Sequence, residues 1–123
     1  MTQPTFEITK AATFDAAHHF PLGPEGSPHR RVHGHSFQVE ASVRGQRSGD
    51  MGFVVDLTHL EARLKAAAAE LDHSLLNEHE GLEKPSLEAL CLWFAGKLQP
   101  DFPGLSRVTL IRPTIGERCV LEL

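Results

Sequence analysis

In Val32-His33-Gly34-His35-Ser36-Phe37 a His-Gly-His step opens a run in which apolar and polar residues alternate. Successive side chains of a strand point to opposite faces, so His33 and His35 share a face. Two neutral imidazoles a strand repeat apart can grip one metal ion, and a third ligand has to come from elsewhere. Upstream, Phe14-Asp15-Ala16-Ala17-His18-His19 offers it, from either of its histidines. Three imidazoles with an open fourth position are the pattern of a catalytic zinc site, because structural zinc sites close with four protein ligands. Taken alone, the step also suits two histidines that merely cap a strand at the surface.

The 123 residues suffice for one domain, 1–123, with a real core. Hydrophobic residues make up 41%, yet no run approaches the roughly 20 apolar residues of a membrane span. The start, Met1-Thr2-Gln3-Pro4-Thr5-Phe6, lacks the basic-then-apolar order of a signal peptide, and the cytoplasm is the expected location. A net charge of −4, with 12 basic and 16 acidic residues and no basic block, argues against a nucleic-acid partner. Cys91 and Cys119 lie among apolar neighbours and are expected to be reduced, buried packing residues. Eight histidines against two cysteines point any metal chemistry toward imidazole.

Residues 6–14 read as a first strand leading toward His18, and Pro21, Gly23, Pro24, Gly26 and Pro28 mark a loop after it. Phe37, Val39, Ala41 and Val43 alternate with Gln38, Glu40, Ser42 and Arg44, the period of a half-buried strand. Asp56 or Thr58 can cap the following helix, Thr58 in a capping box with Glu61. Leu57, Leu60, Leu64, Ala67 and Leu71 form its apolar stripe. A second helix starts near Pro85-Ser86, with Leu87, Leu90, Cys91, Phe94 and Leu98 on one face. Residues 107–112 and 119–123 read as closing strands. The order ββααββ predicts an α+β fold, a four-stranded antiparallel sheet with two helices on one face. Such a sheet leaves open edges that another chain can cover.

Five motifs occur in order: Phe14-Asp15-Ala16-Ala17-His18, Val32-His33-Gly34-His35-Ser36-Phe37, Gly52-Phe53-Val54-Val55-Asp56-Leu57, Leu71-Asp72-His73-Ser74-Leu75-Leu76-Asn77 and Pro85-Ser86-Leu87-Glu88. Together they make residues 6–120 resemble the 6-pyruvoyltetrahydropterin synthase family, whose bacterial branch includes the 6-carboxytetrahydropterin synthase of queuosine biosynthesis. The resemblance implies the tunnelling fold (T-fold), in which three sheets join into a barrel and two trimers stack into a hexamer with pockets shared between subunits. It implies zinc on His18, His33 and His35, its register favouring His18 over His19, and a pterin substrate, 7,8-dihydroneopterin triphosphate. It further implies that Asp72 and His73 move protons, and that Ser86 and Glu88 line the pterin pocket. Read without the resemblance, Asp72 and His73 also suit the end of a helix, and Glu88 suits a helix dipole.

Two positions depart from the family. Its proton-abstracting cysteine aligns with His29, for which three roles are open: general base in the cysteine's place, fourth metal ligand, or plain loop residue. Its pterin-anchoring glutamate aligns with Arg112, which has only donors and suits a carboxylate, phosphate or carbonyl-rich ligand, or a neighbouring carboxylate at the surface. Glu117 restores the anchor only if the last strand carries a bulge, and the register argues against it. The expected function is therefore that of a zinc-dependent lyase similar to 6-carboxytetrahydropterin synthase. The alternatives are a zinc-binding paralogue without that activity, or an enzyme for a different, anionic substrate. His59 and His79 are read as exposed and without a role.

Overall fold

The computed structural model describes residues 3–123; Met1 and Thr2, which opened the segment read for a signal peptide, lie outside the described residues. The elements follow the expected order: β1 (Phe6–His18), β2 (His33–Gly45), α1 (Leu57–Leu71), α2 (Leu87–Leu98), β3 (Leu105–Arg112) and β4 (Glu117–Glu122). The strands form one antiparallel sheet in the order β1-β2-β3-β4, and both helices cover the same face, α1 over β1 and α2 over β3 and β4. Among the described residues no helix is long and apolar enough to cross a membrane.

β1 runs past residue 14 because residues 15–18 continue to pair, Asp15 with Ser36 and His18 with His33. Its inward residues Ala12, Phe14, Ala16 and His18 are buried and alternate with more open ones, the period of a half-buried strand. Phe14 and Phe37, cross-strand partners, stack at 4.9 Å and are joined by Phe94 from α2 at 5.7 Å from Phe14. On α1 the buried stripe is Leu60, Leu64, Ala67, Ala68 and Leu71; Leu57, at the first turn, stays exposed.

Both helices start on side-chain caps. Asp56 accepts from the Thr58 N–H at 2.9 Å, and Ser86 Oγ accepts from the Ala89 N–H at 3.1 Å. Thr58 therefore lies inside α1, and no capping box with Glu61 forms. Cys91 is buried, its thiol pushed up to about 12 by desolvation, so it serves as packing. Cys119 is only half-buried. The segment after α1 lies along the free edge of β1: the His73 N–H donates to Asp15 O at 2.7 Å and the Ala17 N–H to Ser74 O at 2.9 Å. Among the described residues β4 has no strand partner on its outer side.

Candidate functional site

The β1–β2 register places Ala16 opposite His35 and His18 opposite His33. Opposed residues of an antiparallel pair project on one face, so all three imidazoles gather at the end of the sheet beyond the Phe14–Phe37 stack. Their ring centroids form a near-equilateral triangle of 4.7, 4.8 and 4.9 Å, with planes inclined at 71–88°. One nitrogen from each lies within 4.8 Å of the others, and among the described residues this is the group of side chains that could hold a metal ion.

Hydrogen bonding prepares the rings. His33 Nδ1 sits 2.8 Å from Arg31 O; Nδ1–H donates there, which leaves the Nε2 lone pair facing inward. That Nε2 lies 3.1 Å from His18 Nε2, two imidazole nitrogens converging on one point. His18 is 1% exposed, with the Pro85 backbone beside its ring and its Nε2 turned toward the other imidazoles. A buried ring with Nε2 so directed fits a metal, which takes neutral imidazoles in this way. Burial against Phe20 and Phe37 pushes the His18 pKa down to about 4, with the neighbouring His35, His33 and Arg112 adding to the shift. Desolvation lowers His35 in the same direction. His18 is thus neutral and ready to coordinate at pH 7 without losing a proton. His19 takes no part: its backbone N–H donates to Asn77 Oδ1 and its carbonyl accepts from Asn77 Nδ2.

This pattern carries a pH dependence. The unfolded chain binds a proton at His18 near pH 6.5 and the folded protein only near 4, so stability is fully present above about 6.5 and falls as the pH drops toward 4. Denaturant titrations of the metal-free protein across that window will show the fall, and a His18→Gln variant will flatten it.

The three histidines line a cavity of about 290 Å³ together with Phe20, Leu22, His29, Arg112, Ile115 and Glu117. His29 reaches it from a short 3-10 turn, Pro28–Arg30, pinned by the Phe20 N–H donating to His29 O at 2.7 Å. Arg112 closes β3 and pairs directly with Glu117, the first residue of β4. No bulge is needed: residues 113–116 close the hairpin, with Gly116 at φ +69°, a conformation other residues adopt at a cost. The expectation that the register keeps Glu117 away is thereby corrected. The loop length from Pro113 to Gly116 was the available signal. Arg112 Nε stands 2.8 Å from Glu117 Oε1.

His73 lies beside His35 in an open groove with Asp15, Ser36 and Thr114, and Asp72 borders a neighbouring groove with Thr13, Gln38 and Ala68; neither lines the cavity. His73 Nδ1 is 2.9 Å from Asp72 Oδ2 and its side chain is 82% exposed. Asp72 accepts from the Asp15 N–H at 2.9 Å, which with His73 holds its carboxyl below the usual range, and the hydrogen bond to Asp72 raises His73. His73 adopts φ +57°, unusual for a residue with a side chain, which aims the pair along the β1 edge. Glu88 is exposed in the first turn of α2 and does not line the cavity. The preceding Pro85 instead touches the site, its backbone lying beside the His18 ring. His59 is exposed and packs on Phe102, whereas His79 is half-buried and 2.9 Å from Ser74 Oγ.

Residues 7–122 match the family model described as 6-pyruvoyl tetrahydropterin synthase. The chain belongs to this family. The 6-carboxy-5,6,7,8-tetrahydropterin synthase of Synechocystis sp. is 38% identical over 110 residues, covering 85% of this chain and 84% of that protein. The protein of the same name from Bacillus subtilis is 38% identical over 76 residues, covering 62% of this chain and 49% of its own. In fold, the family member from Caenorhabditis elegans, a 6-pyruvoyl tetrahydropterin synthase, superposes with a TM-score of 0.83 at 20% identity, covering 100% of this chain and 99% of that one. The four-stranded sheet with two helices is the T-fold of this family.

Proposed function

We propose that this protein is a zinc-dependent lyase that converts 7,8-dihydroneopterin triphosphate, similar to 6-carboxy-5,6,7,8-tetrahydropterin synthase. The observation that carries the reading is the triangle of His18, His33 and His35 opening onto a cavity that also holds His29, a base candidate. Zinc bound by the three histidines would act as a Lewis acid toward oxygens of the ligand's side chain, easing loss of a neighbouring C–H proton. His29, which lines the same cavity, would take that proton as general base. Phe20, Leu22 and Ile115 form the apolar part of the cavity wall.

Asp72 and His73 form the proton relay in this reading. Their exposure and their distance from their own cavity suit a groove completed by a second copy of the chain. The unpaired side of β4 is where another sheet can continue, as in the hexamer of stacked trimers that the family resemblance implies. Glu88, on the exposed first turn of α2, contacts substrate only in such an assembly.

A second reading is a zinc-binding paralogue without turnover. It is favoured by one observation: among the described residues no hydrogen bond orients the His29 ring, whereas a working base is normally held by a third group. Mass spectrometry of the zinc-loaded protein incubated with 7,8-dihydroneopterin triphosphate separates the two. Release of triphosphate with a tetrahydropterin product is expected; intact substrate beside fully bound zinc would overturn the lyase reading.

A further inference from the structure

Asn77 closes the motif that begins at Leu71, and no step of the proposed reaction draws on it. Its side chain nonetheless makes three hydrogen bonds. Oδ1 accepts from the His19 N–H at 3.1 Å, while Nδ2 donates to His19 O at 2.9 Å and to Glu83 O at 3.3 Å. An N–H on one side and carbonyls on the other fix which amide atom faces which partner.

The reason for this clip lies in how β1 ends. Residues two apart in a strand present their N–H and C=O groups to the same edge, so Ala17 and His19 face the free edge while His18 pairs with His33. At Ala17 that edge is met by backbone: the Ala17 N–H donates to Ser74 O at 2.9 Å, and Leu75 lies in parallel register with Ala17. Two residues on, Leu76–Glu78 wind into a 3-10 turn and their backbone leaves the edge. The Asn77 amide takes its place, offering His19 the acceptor and the donor that the peptide groups of a neighbouring strand would have offered. His18 is thereby held from both sides at a strand end, where chains otherwise fray. The third bond extends the clip, because Glu83 begins the short stretch to Pro85, whose backbone lies beside the His18 ring. Asn77 thus joins the backbone that carries His18 to the segment packed on its imidazole.

We propose that Asn77 is a positioning residue for the metal centre: its amide fixes the end of β1 so that the His18 imidazole already points at His33 and His35 before a metal arrives. It acts through the His19 backbone and through Glu83 O, and the 3.1 Å convergence of His18 Nε2 on His33 Nε2 is what it maintains. This deepens the zinc reading above and rests on it.

Chelator competition on the folded protein gives the first readout. Asn77→Ala should lower zinc affinity at least about tenfold, the lower end of what loss of an outer partner costs. Asn77→Asp keeps the acceptor but sets an oxygen against two carbonyls, and should lower affinity as well. Asp56→Ala is the control, since it removes the cap of α1 beside Phe6 and Ile8 at the other end of β1. It should cost stability and leave affinity unchanged; an equal loss of affinity there would make stability alone the cause and sink the positioning role. With cobalt(II) as the bound ion, the visible absorption bands should shift or weaken in Asn77→Ala, because they report ligand geometry. Affinity and bands both unchanged in that variant would overturn the positioning role and leave the zinc site standing. The unaltered, metal-free protein offers a check that needs no variant to fold: its His19 amide should exchange with solvent deuterium about as slowly as that of Ala17. Exchange at the rate of an open loop would mean that no clip precedes the metal, and would contradict the proposal. Failure of the unaltered protein to bind either ion would overturn it together with the zinc reading.

Discussion

Replacing His35 with alanine is expected to strip the protein of zinc while leaving the fold in place. The three imidazoles form an almost equilateral triangle, and two of them already converge at 3.1 Å through their Nε2 atoms. Removing the third leaves two ligands. Among the described residues no other histidine, cysteine or carboxylate joins this group to take its place. Affinity should fall by more than the roughly 10–100-fold that loss of a mere outer-shell partner costs. His35 is half-buried at the end of the sheet, beyond the Phe14–Phe37 stack, so the core stays filled. His19→Ala is the matched control: it neighbours His18 in sequence, yet only its backbone is engaged, by Asn77. Metal content and competition with a chromogenic chelator measure both variants. Retention of zinc by His35→Ala at unchanged affinity would place the metal elsewhere.

His29→Ala is expected to lower turnover of 7,8-dihydroneopterin triphosphate by roughly 10²–10⁴-fold, the usual contribution of a general base, with zinc content unchanged. The residue lines the cavity from a turn held by a backbone hydrogen bond, and its side chain supports no packing, being exposed. The change should therefore appear in kcat and not in thermal stability. His29→Cys restores a thiol at the position where the family resemblance implies one, and should recover much of the lost rate. If His29→Ala loses zinc along with activity, the ring is a fourth ligand. If neither changes, it is a loop residue and the base lies elsewhere.

Those two experiments concern the part of the site that the sequence made most legible. The two-residue repeat of His33 and His35 is a local property of a strand, and it survives folding because β2 is regular through both positions. The residues alone left the third ligand between His18 and His19, with the family register favouring His18; the pairing of β1 with β2 sets His18 opposite His33. The helical stripes were equally local. What could not be read depended on chain segments meeting after a turn. Glu117 reaches the cavity only because residues 113–116 close a hairpin without a bulge, bringing it opposite Arg112. Asp72 and His73 leave the helix end and follow β1 through hydrogen bonds from the His73 and Ala17 amides, a course set by His73 in a left-handed conformation that nothing in its neighbours announces. Glu88 shares a helix start with Ser86 and Pro85, yet only the Pro85 backbone turns toward His18, because the helix carries Glu88 outward.

The most direct measurement is a zinc titration of chelator-treated protein, with triphosphate release from 7,8-dihydroneopterin triphosphate followed at each addition. The account predicts that release starts from near zero, rises with added zinc and saturates at one ion per chain, with no recovery in His35→Ala. Release that proceeds equally in the metal-free protein, or zinc that binds one per chain without any release, would contradict it.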